Sequence, residues 1–89
     1  MPKVVITHNV VDVDKWLKGK SERAEAIAGM GGTNVVDHAA QDGSNTVAIT
    51  CQTDDVANMM AAIANPAPDL AAAMERHGVV PPIAVFVEN

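Results

Sequence analysis

Four short stretches of this chain carry apolar side chains at adjacent positions: Val4-Val5-Ile6, Val35-Val36, Val47-Ala48-Ile49 and Ile83-Ala84-Val85-Phe86-Val87. Neighbouring residues of a strand point to opposite faces. A sheet made from these segments is therefore apolar on both sides, whereas an antiparallel sheet with one wet face alternates apolar and polar residues. With 89 residues the chain is one domain, residues 1–89, and has few other elements with which to cover two such faces.

The elements between the strands follow from periodicity and end signals. Lys3 to Val10 reads as the first strand. Asp12 is placed to cap a helix, Asp14 suits the positive end of its dipole, and Val13, Trp16, Leu17, Ala24, Ile27 and Ala28 recur at three- and four-residue steps as one apolar stripe. Lys15, Lys18, Glu22 and Glu25 take the other side, which reads as a solvated face. Gly29 to Gly32 ends that helix. Thr33 to Ala40 is a second strand, Asp42-Gly43 turns a hairpin, and Thr46 to Gln52 is the third strand. Thr53 is placed to cap a second helix, with Asp54 and Asp55 in its first turn. "NPAP" interrupts this helix at Pro66 and Pro68, and Pro68 can restart it at a first helical position. Gly78 stops it, "VVPP" is a linker, and Ile83 to Val87 is the last strand.

The order β-α-β-β-α-β is that of the split βαβ unit, whose usual form is α+β: a four-stranded antiparallel sheet with the helices on one face. The second apolar face then needs a cover, because monomers rarely leave more than about a few hundred Å² of contiguous apolar surface open. The economical cover is a second copy of the same sheet, burying on the order of 2,000 Å².

Composition narrows the partners. Net charge is −5, and the Lys/Arg residues, mostly gathered from Lys15 to Arg23, lie on a helix face with Glu22 and Glu25 interleaved, a solvated surface that disfavours nucleic acid. The N-terminus has no basic-then-apolar signal pattern, and no apolar run approaches a membrane span. The one cysteine, Cys51, has no zinc-site spacing, and its place in a central strand suits a small buried hydrophobe. The expectation is a cytoplasmic protein that binds neither nucleic acid nor membrane.

Two segments carry a resemblance. "HNVVDVDKW" is similar to a His-x-Val-x-Asp-x-x-x-Trp opening, and "PDLAAAMERHGVVPP" to a Pro-Glu-Leu…Met…Gly-Val segment, both found in the dimeric α+β barrel superfamily. Between them, "VAITCQTDDVA" resembles that superfamily's strand followed by an acidic helix start. The resemblance covers nearly the whole chain and implies two ferredoxin-like sheets packed face to face around a central cavity. The superfamily includes cofactor-free monooxygenases (those of antibiotic biosynthesis among them), haem-degrading enzymes, cyclases, isomerases and stress-responsive proteins, so the fold alone names no activity.

His8 is the candidate for chemistry. Strand parity puts Val4, Ile6 and His8 on one face, and comparison with the cyclase relatives suggests that this row lines the cavity toward the partner. There Val4, Ile6 and His8 would contact a small, largely apolar ligand, with His8 as acid/base near neutral pH. The other role open to His8 is a hydrogen bond to a loop or to the partner. Trp16, on the apolar stripe, reads as packing. The haem-degrading relatives use an Asn, Trp and His set, but the tryptophan here lies on a different element. The cyclase Tyr–His pair is absent, since the chain has no tyrosine. His38 and Asp37 read as a polar strand edge, His77 as a helix-end residue, and Met59-Met60 as core filling. "GMGGTN" follows a helix and precedes a strand, the reverse of the dinucleotide-binding order, so no cofactor is expected, nor any metal. Two functional classes remain: a cofactor-independent monooxygenase or isomerase/cyclase, and a non-catalytic ligand-binding or stress-associated structural dimer.

Overall fold

The computed structural model describes residues 1–89, in the order β1 (Lys3–Val10), α1 (Val13–Lys18), α2 (Lys20–Gly29), β2 (Gly32–Ala39), β3 (Thr46–Thr53), α3 (Val56–Ala64), α4 (Pro68–Arg76) and β4 (Val79–Val87). The strands form one antiparallel sheet in the order β2-β3-β1-β4, the ferredoxin-like arrangement that the sequence predicts. No helix is long and apolar enough to cross a membrane.

The helices cover one face of the sheet. Val4, Ile6 and Val10 of β1 and Val47, Ile49 and Cys51 of β3 form a buried cluster with Trp16, Ile27, Met30 and Met59. Residues directly opposite in the register share a face, so Val5, Thr7, Ala48, Thr50, Val36, Ala84 and Phe86 lie on the other side. That side is open in the single chain, where Phe86 is 59% exposed and Val36 48%. The row Val4-Ile6-His8 shares a face as expected, but it lies under the helices and does not look toward a partner. The reason is compositional. This row and its β3 counterpart are almost wholly aliphatic, while the opposite row includes Thr7, Asn9, Thr50 and Gln52. The helices take the drier face.

Several ends differ from the sequence reading. The first helix is two, because it breaks at Gly19. A Cβ there would stand 2.5 Å from the His77 ring, so the imidazole occupies space that any other residue would fill. The inward stripe is not the one expected: it runs from Trp16 of α1 on into α2. Arg23, Ile27 and Met30 are buried, while Leu17 and Ala28 are exposed. Asp12 caps α1 through the Lys15 N–H at 3.3 Å. Asp55, not Thr53, caps α3, through the Asn58 N–H at 2.9 Å. Thr53 is fully buried and its Oγ1 accepts from the Asp55 N–H. The "NPAP" break is present: Asn65 (φ −138°, ψ 72°) leaves the helical conformation and Ala67 is extended, between α3 and α4. "VVPP" is no linker: Val79 and Val80 pair with Val10 and Asn9, and Pro81-Pro82 lie in a bulge of an edge strand, where a missing N–H is tolerated.

A second bulge aims a side chain. Between Thr33 and Val36, β2 has one residue more than β3, and Asn34 takes φ +51°. Gly32 and Asp37, five residues apart, thereby both face the helices; without the bulge their parities would differ.

Gly29, inside α2, and Gly19, between α1 and α2, make opposite predictions. Gly29→Ala meets nothing within 4 Å and should gain up to about 1 kcal/mol in helix propensity. Gly19→Ala should cost roughly 1–3 kcal/mol, because Gly19 caps both helices, where no interior-helix gain applies, and the new Cβ displaces His77. Urea midpoints of the two variants check this, and equal effects would contradict the close packing at Gly19.

Candidate functional site

Arg23 ties the helical layer to the sheet. Its Nε and Nη2 donate to the two carboxylate oxygens of Asp37, at 3.2 and 2.9 Å, and Nη1 donates to the Trp16 carbonyl at 2.9 Å. Its guanidinium lies 3.8 Å from the centre of the Trp16 ring. Both charged side chains of the pair are buried. The reading of Arg23 as part of a solvated face, and of Asp37 as an exposed edge, is therefore corrected. The planar fork of arginine suits such a buried, bidentate, stacked position. The signal was in the spacing: Trp16, Arg23, Ile27 and Met30 follow one another at seven, four and three residues, a single helical face.

His77, at the end of α4, meets Arg23 with its Nδ1, 3.4 Å from Nη1, and Glu22 Oε1 with its Nε2, also at 3.4 Å. The guanidinium can only donate, so Nδ1 accepts, and the proton sits on Nε2 toward Glu22. Burial and the neighbouring Arg23 charge push its pKa below the ordinary 6.5. Arg76 pairs with the same Glu22 carboxylate. The helix-end reading of His77 is right about position and incomplete about its packing.

His8 stands on β1 beneath α1, edge-on to Trp16 with ring centres 6.2 Å apart. Its Nδ1 is 2.9 Å from the Asn9 carbonyl, which only accepts, so Nδ1 carries the proton and Nε2 is the basic nitrogen of the neutral ring. Burial lowers its pKa most, the Asn9 bond partly offsets this, and the Arg23 charge lowers it again. The ring is neutral at neutral pH.

Between helices and sheet lies a cavity of about 70 Å³. Fifteen residues line it, and only His8, Arg23 and His77 among them are polar in character; the rest include Ile6, Ile27, Ile49, Ile63, Leu70 and Ile83. A water needs about 10–15 Å³, so the space suits one compact molecule or a few waters. Ala26, Met30, Leu70 and Ala73 belong both to this cavity and to an open groove of about 500 Å³ between α2 and α4. Trp16 is also in the cavity wall. It is fully buried, and its indole Nε1–H has no acceptor in the protein.

Of the residues singled out from sequence, Ile6 and His8 reach this cavity and Val4 does not. His38 is exposed on the open face, its Nε2 3.1 Å from Thr50 Oγ1. Cys51 and Met59 are buried against each other, and burial pushes the Cys51 thiol pKa up, while Met60 is 38% exposed.

No protein-family model and no curated protein matches the chain. Solved structures do, across almost all of it. A Bordetella bronchiseptica protein named as a candidate antibiotic biosynthesis monooxygenase aligns with a TM-score of 0.74 at 14% identity, over 99% of this chain and 94% of its own. Another structure, named as an antibiotic biosynthesis monooxygenase, gives 0.68 at 13% identity, over 100% and 97%. A dimeric ferredoxin-like protein from an uncultured marine organism gives 0.62 at 8% identity, over 100% and 93%. The chain has the ferredoxin-like fold of these proteins.

Both buried histidines make stability depend on pH. Their pKa values are depressed in the folded chain, so between the folded value and 6.5 the unfolded chain binds more protons. Stability should be complete above pH 6.5 and fall as the pH drops through the folded values. Urea midpoints from pH 7.5 to 5 measure the slope, which His8→Gln should reduce; a flat profile over that range would contradict both burials.

Proposed function

We propose that the chain is a homodimer that takes a small, largely apolar molecule into the cavity between its helices and its sheet, with His8 as the acid/base group there. The observation that carries this reading is the basic Nε2 of a neutral imidazole on the wall of an otherwise aliphatic cavity. Arg23 is engaged by Asp37, Trp16 and His77, and His77 by Arg23 and Glu22, so neither has a comparable free group. The reaction class that this favours is cofactor-independent monooxygenation. His8 removes a proton from an acidic C–H or O–H of the substrate, leaving an electron-rich anion. The anion reduces dioxygen; one oxygen atom enters the substrate, turning a CH2 into a carbonyl, and the other leaves as water. The aliphatic wall keeps bulk water from the anion. The names of the structural neighbours agree with this class.

The dimer is supported by the open face. Val5, Val36, Val80, Ala84 and Phe86 lie together across β1, β2 and β4, and a second sheet packed there would cover them. A neighbour named as dimeric has the same fold. In this arrangement the partner covers the side of the sheet away from His8.

His8→Gln tests the reading. Light scattering should give a dimer mass for both wild type and variant. Dioxygen uptake with enolisable ketones and phenols should fall at least about 100-fold in the variant. Turnover that survives the substitution would contradict the role of His8, and a folded monomer would contradict the assembly.

A further inference from the structure

We propose that the groove between α2 and α4 is the outer half of the ligand site, and that the molecule the protein takes is elongated. Its compact, enolisable end lies in the inner cavity beside His8, and an uncharged hydrocarbon chain joined to that end lies in the groove. The proposal rests on the reading of the inner cavity as a ligand site and adds to it the length and charge of the ligand. Volume is the first argument. The inner cavity, at about 70 Å³, holds one compact group, whereas sites for molecules of substrate size run to about 300–1,000 Å³. The adjoining groove, of about 500 Å³, brings the combined space into that range.

The two spaces share a wall. Ala26, Met30, Leu70 and Ala73 line both, and all four are apolar. Two of them are alanines, which reach little across the gap, and Met30 is an unbranched side chain that repacks easily. The inner cavity is not sealed. Ion pairs pin the helices together at one end only, where Glu22 of α2 meets Arg76 and His77. Around Met30 and Leu70, no ion pair joins α2 to α4. Next to Met30, a Cβ added at Gly29 meets nothing within 4 Å, so the groove is unfilled there.

The rim sets the charge of the chain. Four charged residues border the groove: Glu22, Glu25, Asp69 and Arg76. Arg76 is engaged by Glu22, while Glu25 and Asp69 belong to no ion pair. The passage is therefore apolar and its border carries two carboxylates without a cation, which repel an anionic chain end and admit a hydrocarbon one.

The test uses three probes with one head: cyclopentanone, 2-hexylcyclopentanone, and 6-(2-oxocyclopentyl)hexanoate, in which a carboxylate replaces the terminal methyl of the hexyl chain. 2-Hexylcyclopentanone should bind at least about thirtyfold more tightly than cyclopentanone, since each fully buried CH2 contributes up to about fourfold. In ¹³C-methyl-labelled protein its chain should shift the Ala26, Met30 and Ala73 methyl resonances, which cyclopentanone moves less. Ala26→Phe fills the passage; it should remove the chain-length gain while cyclopentanone still binds, and a variant that keeps the full gain overturns the proposal. The carboxylate probe should bind at least about tenfold more weakly than the hexyl one, a gap that should narrow about threefold in the Glu25→Gln, Asp69→Asn double variant. Equal affinity of the wild type for cyclopentanone and 2-hexylcyclopentanone, or a carboxylate gap that the double variant leaves unchanged, overturns the groove's role and leaves the inner cavity standing. Binding of no probe beneath the helices overturns the cavity reading and the groove with it. The wild-type comparisons stand even where Ala26→Phe does not fold.

Discussion

The Arg23–Asp37 ion pair is the constraint around which the structure is arranged. Two charges withdrawn from water are tolerated only with good geometry and further hydrogen bonds, and the net contribution of such a pair to stability is small. Its consequence is positional. Asp37 can face the helices because Asn34 bulges β2, and Arg23 can reach it because Gly19 breaks the first helix and brings the Trp16 carbonyl and His77 alongside. Loss of either partner would leave an uncompensated buried charge, at a cost of roughly 3–5 kcal/mol. One strand, three helices and the chain's only tryptophan are registered by one guanidinium.

That registration decides what the cavity presents. Arg23 lies in its wall and is fully engaged, so the available polar chemistry reduces to the basic nitrogen of His8. His8 and Trp16 meet edge-on, one on the sheet and one on the helix above it. The cavity shares Ala26, Met30, Leu70 and Ala73 with the groove between α2 and α4, so only side chains separate it from solvent on that flank. Under the proposed function, association and ligand binding use opposite faces of one sheet: the open face with Phe86 and Val36 is the one a second copy would cover, and the face with Ile6 and His8 is the one that lines the cavity.

The fold was legible because strand content, the Asp42-Gly43 turn and the two prolines of "NPAP" each act locally. Strand parity also grouped Val4, Ile6 and His8 correctly. Which side that row faced was harder to read, since both rows are apolar at their centres. The polar residues Thr7, Asn9, Thr50 and Gln52 on the other row carried that information. The need for glycine at position 19 was not legible, because the group that fills its side-chain space is His77, 58 residues away. Arg23 was hidden by composition: among lysines and glutamates it resembles surface, and only its spacing from Trp16, Ile27 and Met30 marks it as inward. Nothing in the chain's local pattern announces the bulge that turns Asp37 toward it.

The central claim is that the working side of the sheet is the one beneath the helices. The direct measurement is the set of intermolecular nuclear Overhauser effects between cyclopentanone and the methyl groups of ¹³C-labelled protein. The account predicts contacts to Ile6, Ile49, Ile63 and Leu70. Contacts to Val5, Val36 and Val80 instead would place the ligand on the open face, between the sheets of a dimer, and would contradict it.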